Sequence, residues 1–172
     1  MNKEENELET GKLARVVYSI LHRKPDVTES KDGFRVQHMI ALAQRAGLKT
    51  DFHYLPYVRG PCSCGVAASL YYTENRDDYF EEVRKRGDAC LTVDELQAVL
   101  WLRKHFEAMI LNYDFRMLEC AGWVSYFLDD LHGQALIDEI QRRPSSFSEI
   151  EIKGMEVLLR ELNPKIKNKK QK

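Results

Sequence analysis

A chain of 172 residues, 44% of them apolar, is long enough to bury a sizeable core and fits one domain, or a domain with a helical extension. Its formal charge of −1 excludes a molecule that draws nucleic acid by its overall field, so such binding would have to use a local basic patch. No apolar run approaches the roughly 20 residues that span a bilayer, and the polar, acidic start MNKEENELETG is not a signal peptide; a cytoplasmic protein without membrane contact is expected.

In chain order, Leu13, Val16, Val17, Ile20 and Leu21 recur at three- and four-residue spacing and predict a first helix over Lys12–His22, ended by Pro25. Phe34, Met39, Ile40 and Ala43 mark the inner face of a second helix, from about Phe34 to Ala46, with Gly47 at its C-cap. Phe52 to Val58 is aromatic, short and interrupted by Pro56, which fits an extended segment outside the middle of a sheet. Gly60-Pro61 then reads as a sharp corner. Glycine allows an unusual backbone angle and proline suits a first helical position, so Gly60, Pro61 and Ser63 form a fold-defining corner that launches a third helix over Ser63–Tyr72.

Residues 79–92, YFEEVRKRGDACLT, place apolar groups on either side of a polar RKRGD centre and predict a two-stranded hairpin with a Gly-Asp turn, with a helix through Arg84 as the competitor. Thr92 and Glu95 have the spacing of a capping box and open a long helix bearing Leu96, Val99, Leu102, Phe106 and Ile110. A helix over Phe115–Leu131 follows. Gly133 separates it from a short one carrying Leu136, Ile137 and Ile140, which Pro144 stops. Ser148 and Glu151 repeat the capping box before a last helix with Ile152, Met155, Leu159 and Leu162. The end, KIKNKKQK, reads as a solvated, disordered basic tail.

Three helices followed by a hairpin is the order of a winged helix-turn-helix. The expected architecture is therefore mainly α with a small β-hairpin: a winged-helix-like core over residues 1–112 with a disordered N-terminal end, a C-terminal helical region over 113–163, and the tail at 164–172. The segments FRVQHMIALAQRAGL and FHYLPYVRGPCSCGVAASLYY resemble the small YwgA-like proteins of bacteria and archaea, which are remotely similar to the Panacea (SocA-like) antitoxin domain. Gly33, Arg35, Gln37, Gly60, Pro61 and Ser63 carry the resemblance, and FRMLECAGWVSYFLDDL with RRPSSFSEIEIKGMEVLLREL extends it. The chain departs from the family pattern at Arg59 and Cys62, where aromatics flank the Gly-Pro pair, and at VAASL, where the family is Leu-rich. The family has no settled activity, so the resemblance implies a fold more than a function, and an antitoxin-like role is the function it suggests.

The chemistry legible in the residues points the same way. Tyr54, Tyr57, Arg59 and Tyr72 gather aromatics and a guanidinium about the corner, the composition of an interface hot spot and equally of ordinary core packing. Arg84, Lys85 and Arg86 would sit at the tip of the predicted wing as phosphate contacts, or form a solvated charged turn. The third helix, however, carries no Arg, Lys, Asn or Gln to read base edges. There is no phosphate-binding glycine loop, no nucleophile elbow and no His pair at metal-binding spacing, and Cys62-x-Cys64 is one residue short of a structural zinc pair. No cofactor or metal is expected. The leading expectation is a non-enzymatic regulatory or adaptor protein that binds another macromolecule, a protein before DNA. A winged-helix DNA-binding transcriptional regulator is the alternative, and an enzyme using Cys62 or Cys64 the second alternative.

Overall fold

The computed structural model describes residues 3–74, 76–112 and 114–161, with side chains from residue 7 onward. The basic tail predicted at 164–172 lies outside the described residues. The fold is mainly helical, with one small antiparallel hairpin. Its elements are α1 (Lys3–Leu21), α2 (Ser30–Ala46), β1 (Leu55–Tyr57), β2 (Gly60–Cys62), α3 (Cys64–Thr73), α4 (Asp77–Cys90), α5 (Val93–Leu111), α6 (Phe115–Phe127), α7 (Gln134–Gln141) and α8 (Glu149–Glu161).

α1 begins well before Lys12, so residues 3–11 are helical where a disordered end was expected. Its polar residues are held by the fold: Asp51 N–H donates to Glu9 Oε2 at 2.9 Å, and Thr10 donates to Ser69 at 3.1 Å. The helix stops at His22, whose φ of 54° no helix can continue. α2 ends in a Schellman pattern: Gly47 takes φ 121°, Leu48 N–H bonds to Ala43 at 2.9 Å and Gly47 N–H to Gln44 at 3.0 Å. Both predicted capping boxes form. In the first, Glu95 N–H donates to the Thr92 hydroxyl while Thr92 N–H donates back to Glu95 Oε2; Ser148 and Glu151 do the same for α8.

The hairpin predicted over 79–92 is the helix α4. The correction has a packing cause. Gly87, read as a turn residue, faces Gly11 of α1, and a Cβ on either glycine would run into the other helix's backbone. The two glycines let α1 and α4 approach closely, and Ala14, Phe80 and Val83 form a small apolar cluster at the crossing. The hairpin of the fold lies instead between α2 and α3, so the order of elements differs from the predicted three helices and wing.

One apolar cluster joins Val17 and Ile20 of α1, Val36 and Met39 of α2, Leu102 and Phe106 of α5, Trp123 of α6 and Leu159 of α8. The helices after residue 112 are thus built into the same core as those before it. Two buried ion pairs pin the framework. Lys12 meets Glu95 at 2.7 Å and also donates to the Lys49 carbonyl at 2.8 Å, tying α1, α5 and the segment after α2. Asp32, fully buried, pairs with Arg35 at 2.8 Å and with Arg23 at 2.6 Å, and accepts from Asp26 N–H at 2.8 Å, which fastens the loop that enters α2.

Candidate functional site

The hairpin pairs Leu55 with Cys62, Pro56 with Pro61 and Tyr57 with Gly60. Neither proline can donate to a ladder, so their facing pair has to be a non-hydrogen-bonded one. Val58 and Arg59 form the tip, and the positive φ that closes it falls on Gly60, at 113°. The unusual backbone angle predicted at Gly60 is present. Pro61 does not take the first helical position; it lies in β2, and α3 begins at Cys64 with Ser63 as its N-cap, whose hydroxyl accepts Val66 N–H at 3.4 Å.

Two residues of α2 hold this hairpin. The side-chain amide of Gln37 behaves as a strand neighbour: its Nε2 donates to the Ser63 carbonyl at 3.0 Å and its Oε1 accepts Ser63 N–H at 2.9 Å. Arg35, the other motif residue with a long side chain, serves the buried pair with Asp32. His38, 1% exposed, fits into space left by Gly60 and Gly122, where a Cβ on either glycine would collide with its ring. The Arg59 carbonyl can only accept, so His38 Nε2 carries the proton and donates to it at 3.2 Å. Burial holds the imidazole's pKa down to about 4, against a smaller opposing effect of that hydrogen bond, so it is neutral at physiological pH.

Between α2, the hairpin and α3 lies a groove of about 650 Å³. Gln37 and His38 line it beside Phe34 and Phe115, whose rings meet edge to face at 5.4 Å, and Ala67, Leu70 and Tyr71 of α3 form another side. Its rim is exposed and apolar: Tyr57 is 68%, Val58 59% and Tyr71 76% exposed, and Leu55 on the same hairpin is 69% exposed. Arg59 stands among them, exposed, with no ion-pair partner among the described residues.

The predicted contact residues divide. Tyr57 and Arg59 come together on the groove. Tyr54 does not: it is half-buried, its hydroxyl donates to the Gln37 carbonyl at 3.4 Å, and burial raises its phenol above the usual range. Tyr72 is exposed on α3 but does not line the groove, whereas its neighbour Tyr71 does. Arg84, Lys85 and Arg86 are on α4, away from the groove lining, and at about 100° per residue they fan around the helix instead of forming one patch. Arg84 pairs with Glu81 at 2.8 Å and Asp88 at 3.1 Å and lies 4.5 Å over the Tyr18 ring; Arg86 pairs with Glu7 and Glu82. Lys85 is exposed beside Asp78, Glu81 and Glu82. Arg84 and Arg86 are thus engaged with carboxylates of the same fold.

Cys62 lines the groove and Cys64 is exposed. Burial, with Cys64 nearby as a second cause, raises the Cys62 thiol, which works against the thiolate that a nucleophile needs. Among the described residues no three His, Cys, Asp or Glu side chains gather as a metal set, and no helix is long and apolar enough to cross a membrane. His38 and Phe115 are site residues that the sequence does not single out. His38 and Phe34, one helical turn apart, were the available signal; the role of Gly122 leaves none in the sequence. Comparison with known proteins finds no matching family model, no matching curated protein and no matching solved structure.

Proposed function

We propose that the protein is a regulatory or adaptor module, antitoxin-like in kind, that works by binding another protein through the hairpin–α3 groove. One observation carries this reading: four large apolar side chains, Leu55, Tyr57, Val58 and Tyr71, stand more than half exposed on and around one groove. Scattered exposed apolar residues are normal, but a cluster rimming a concavity is the form of an interaction site. The unneutralised guanidinium of Arg59 beside them selects the occupant: a peptide segment with a bulky apolar anchor for the groove and a carboxylate for Arg59. Less supports the alternatives: two of the three residues proposed as phosphate contacts, Arg84 and Arg86, are engaged in internal ion pairs, and burial raises the Cys62 thiol.

The test is paired capture from a native lysate with wild type, Tyr57→Ala and Arg59→Glu as baits. A stoichiometric protein partner held by wild type and released by both variants is the expected result. The same partner on all three baits, or wild type recovered without one, would reject the groove as its docking site. A duplex-binding assay at low salt separates the DNA reading, which requires binding that weakens on Arg84→Glu with Lys85→Glu.

A further inference from the structure

Cys62 and Cys64 stand on either side of Ser63, where the hairpin passes into α3. Ser63 is extended, with φ −117° and ψ 124°, so the residues flanking it send their side chains to the same side of the chain. Two extended steps of about 3.3 Å set their Cα atoms about 6.6 Å apart, inside the range of about 4.4–6.8 Å that a disulfide spans. Neither thiol is sealed in the core: Cys64 is exposed, and Cys62 is half-buried on the groove wall. The two are also electrostatic neighbours, since charge on Cys64 is, after burial, a cause that raises the Cys62 thiol.

The span between them is held from below. Gln37 Oε1 accepts Ser63 N–H at 2.9 Å and Gln37 Nε2 donates to the Ser63 carbonyl at 3.0 Å. This buried amide keeps the middle residue extended and the two cysteines side by side. The other two cysteines differ. Cys90 is exposed at the end of α4 and Cys120 is buried in α6, each the single cysteine of its helix.

We propose that Cys62 and Cys64 are a reversible redox pair that closes to a disulfide on reaction with a hydroperoxide, with Cys64 the attacking sulfur and Cys62 the resolving one. The Cys64 thiolate attacks one peroxide oxygen, so that an S–O bond forms as the O–O bond breaks, and the leaving oxygen takes a proton and departs as water or an alcohol. The Cys62 sulfur, losing its proton, then attacks the sulfenic sulfur of Cys64; the S–S bond forms and the hydroxyl leaves as water. Two thiols are oxidised and one peroxide is reduced. Exposure sets the order, because Cys64 meets the oxidant directly while burial disfavours a thiolate at Cys62. Closure draws the two Cα atoms toward the usual separation of about 5.5–6 Å and so pulls on the residue that Gln37 grips. Cys62 belongs to the groove wall, so the thiol and disulfide forms present different walls to an occupant. The chemistry of the pair does not depend on what that occupant is.

Trypsin releases both cysteines in one peptide, residues 60–76, and Cys90 in another. The reduced full chain is treated with hydrogen peroxide, blocked with N-ethylmaleimide, digested and weighed by mass spectrometry. The expected product is a 60–76 peptide lighter by two hydrogens and unblocked, which dithiothreitol returns to two blockable thiols; the peptide holding Cys90 is not lightened in this way. In Cys62→Ser, Cys64 should stop at the sulfenic acid and be trapped by dimedone. In Cys64→Ser, Cys62 should oxidise more slowly than Cys90 of the same chain. A wild-type 60–76 peptide that keeps two free thiols once Cys90 is oxidised, or that gains oxygen in place of a bridge, overturns the proposal. Cys62 oxidising as fast as Cys90 in Cys64→Ser overturns the assigned order. The wild-type measurement decides whether the pair closes even if neither variant folds.

Discussion

Gly11→Ala is the substitution whose outcome the helix crossing fixes most directly. A Cβ on Gly11 would lie 2.7 Å from the Val83 carbonyl oxygen and 3.2 Å from Gly87 N, where ordinary contact begins at 3.4 Å. The first overlap is 3.4 minus 2.7, or 0.7 Å, and it is with backbone, which cannot swing aside as a side-chain tip does. Two effects oppose each other. Alanine is favoured over glycine in a helix by about 1 kcal/mol, and forcing a methyl into packed space costs about 1–3 kcal/mol. Gly154→Ala in α8 separates them, because nothing lies within 4 Å of a Cβ there. It should stabilise by about 1 kcal/mol. The helix-propensity gain is common to both variants, so the difference between them is the packing cost, about 1–3 kcal/mol in favour of Gly154→Ala. Urea denaturation followed by far-UV circular dichroism measures both, at unchanged m-value. In melting temperature the separation is roughly 2–12 °C for a chain of this size. Gly11→Ala within about 0.5 kcal/mol of Gly154→Ala would refute the close crossing, and with it the account of why 79–92 is helical.

Two further predictions concern charge. His38 has a folded pKa of about 4 against an ordinary 6.5, so between those values the unfolded chain binds a proton that the folded one refuses. Its stabilising contribution is complete above pH 6.5 and is lost as pH falls toward 4, at a slope of up to about 1.4 kcal/mol per pH unit. His38→Gln, which keeps a donor for the Arg59 carbonyl, should flatten that slope in urea titrations from pH 7 to 4; an unchanged slope would assign it to another group. At Glu95, burial works against the charge, but hydrogen bonds from Lys12, Thr92 and Lys49 outweigh it and hold the carboxyl at about 2. Stability from this group is present above the ordinary 4.5 and is lost as pH falls toward 2. Lys12→Met leaves the buried carboxylate without its cation, an expected loss of about 3–5 kcal/mol at pH 7, and it should raise the Glu95 pKa and move the acid limb to higher pH. A loss under about 1 kcal/mol would mean that the pair is worth no more than a surface one.

What was legible in the sequence was whatever is decided within one turn of chain. Thr92 with Glu95, Ser148 with Glu151 and Gly47 after α2 are local satisfactions of helix-end groups, and each forms as its spacing implies. RKRGD was misread because a glycine between charged residues has the same local signature in a turn as at a helix crossing. The difference is made by Gly11, which no local window around Gly87 contains. The early helix start has the same origin: MNKEENELETG looks solvated until Asp51 and Ser69 arrive to pair with Glu9 and Thr10. At the site, Tyr57 and Arg59 were legible as an aromatic and a guanidinium beside a Gly-Pro corner. Tyr54 was not separable from them, since alternation in a short extended segment does not say which face meets α2.

The groove and its rim depend on the two glycines that accommodate His38. Its ring occupies the space that side chains at positions 60 and 122 would fill, and its proton is committed to the Arg59 carbonyl. Gln37 fixes the other end of β2 through both backbone groups of Ser63. The backbone that carries Tyr57, Val58 and Arg59 is therefore held by buried α2 side chains at two points, although the side chains it presents are exposed. A surface held in this way loses little conformational freedom when a partner arrives, so more of its contact energy is available as affinity. It also explains why the exposed apolar tip need not collapse onto the protein: a two-residue tip closed at Gly60 and anchored at His38 has no slack to fold its tyrosine and valine inward.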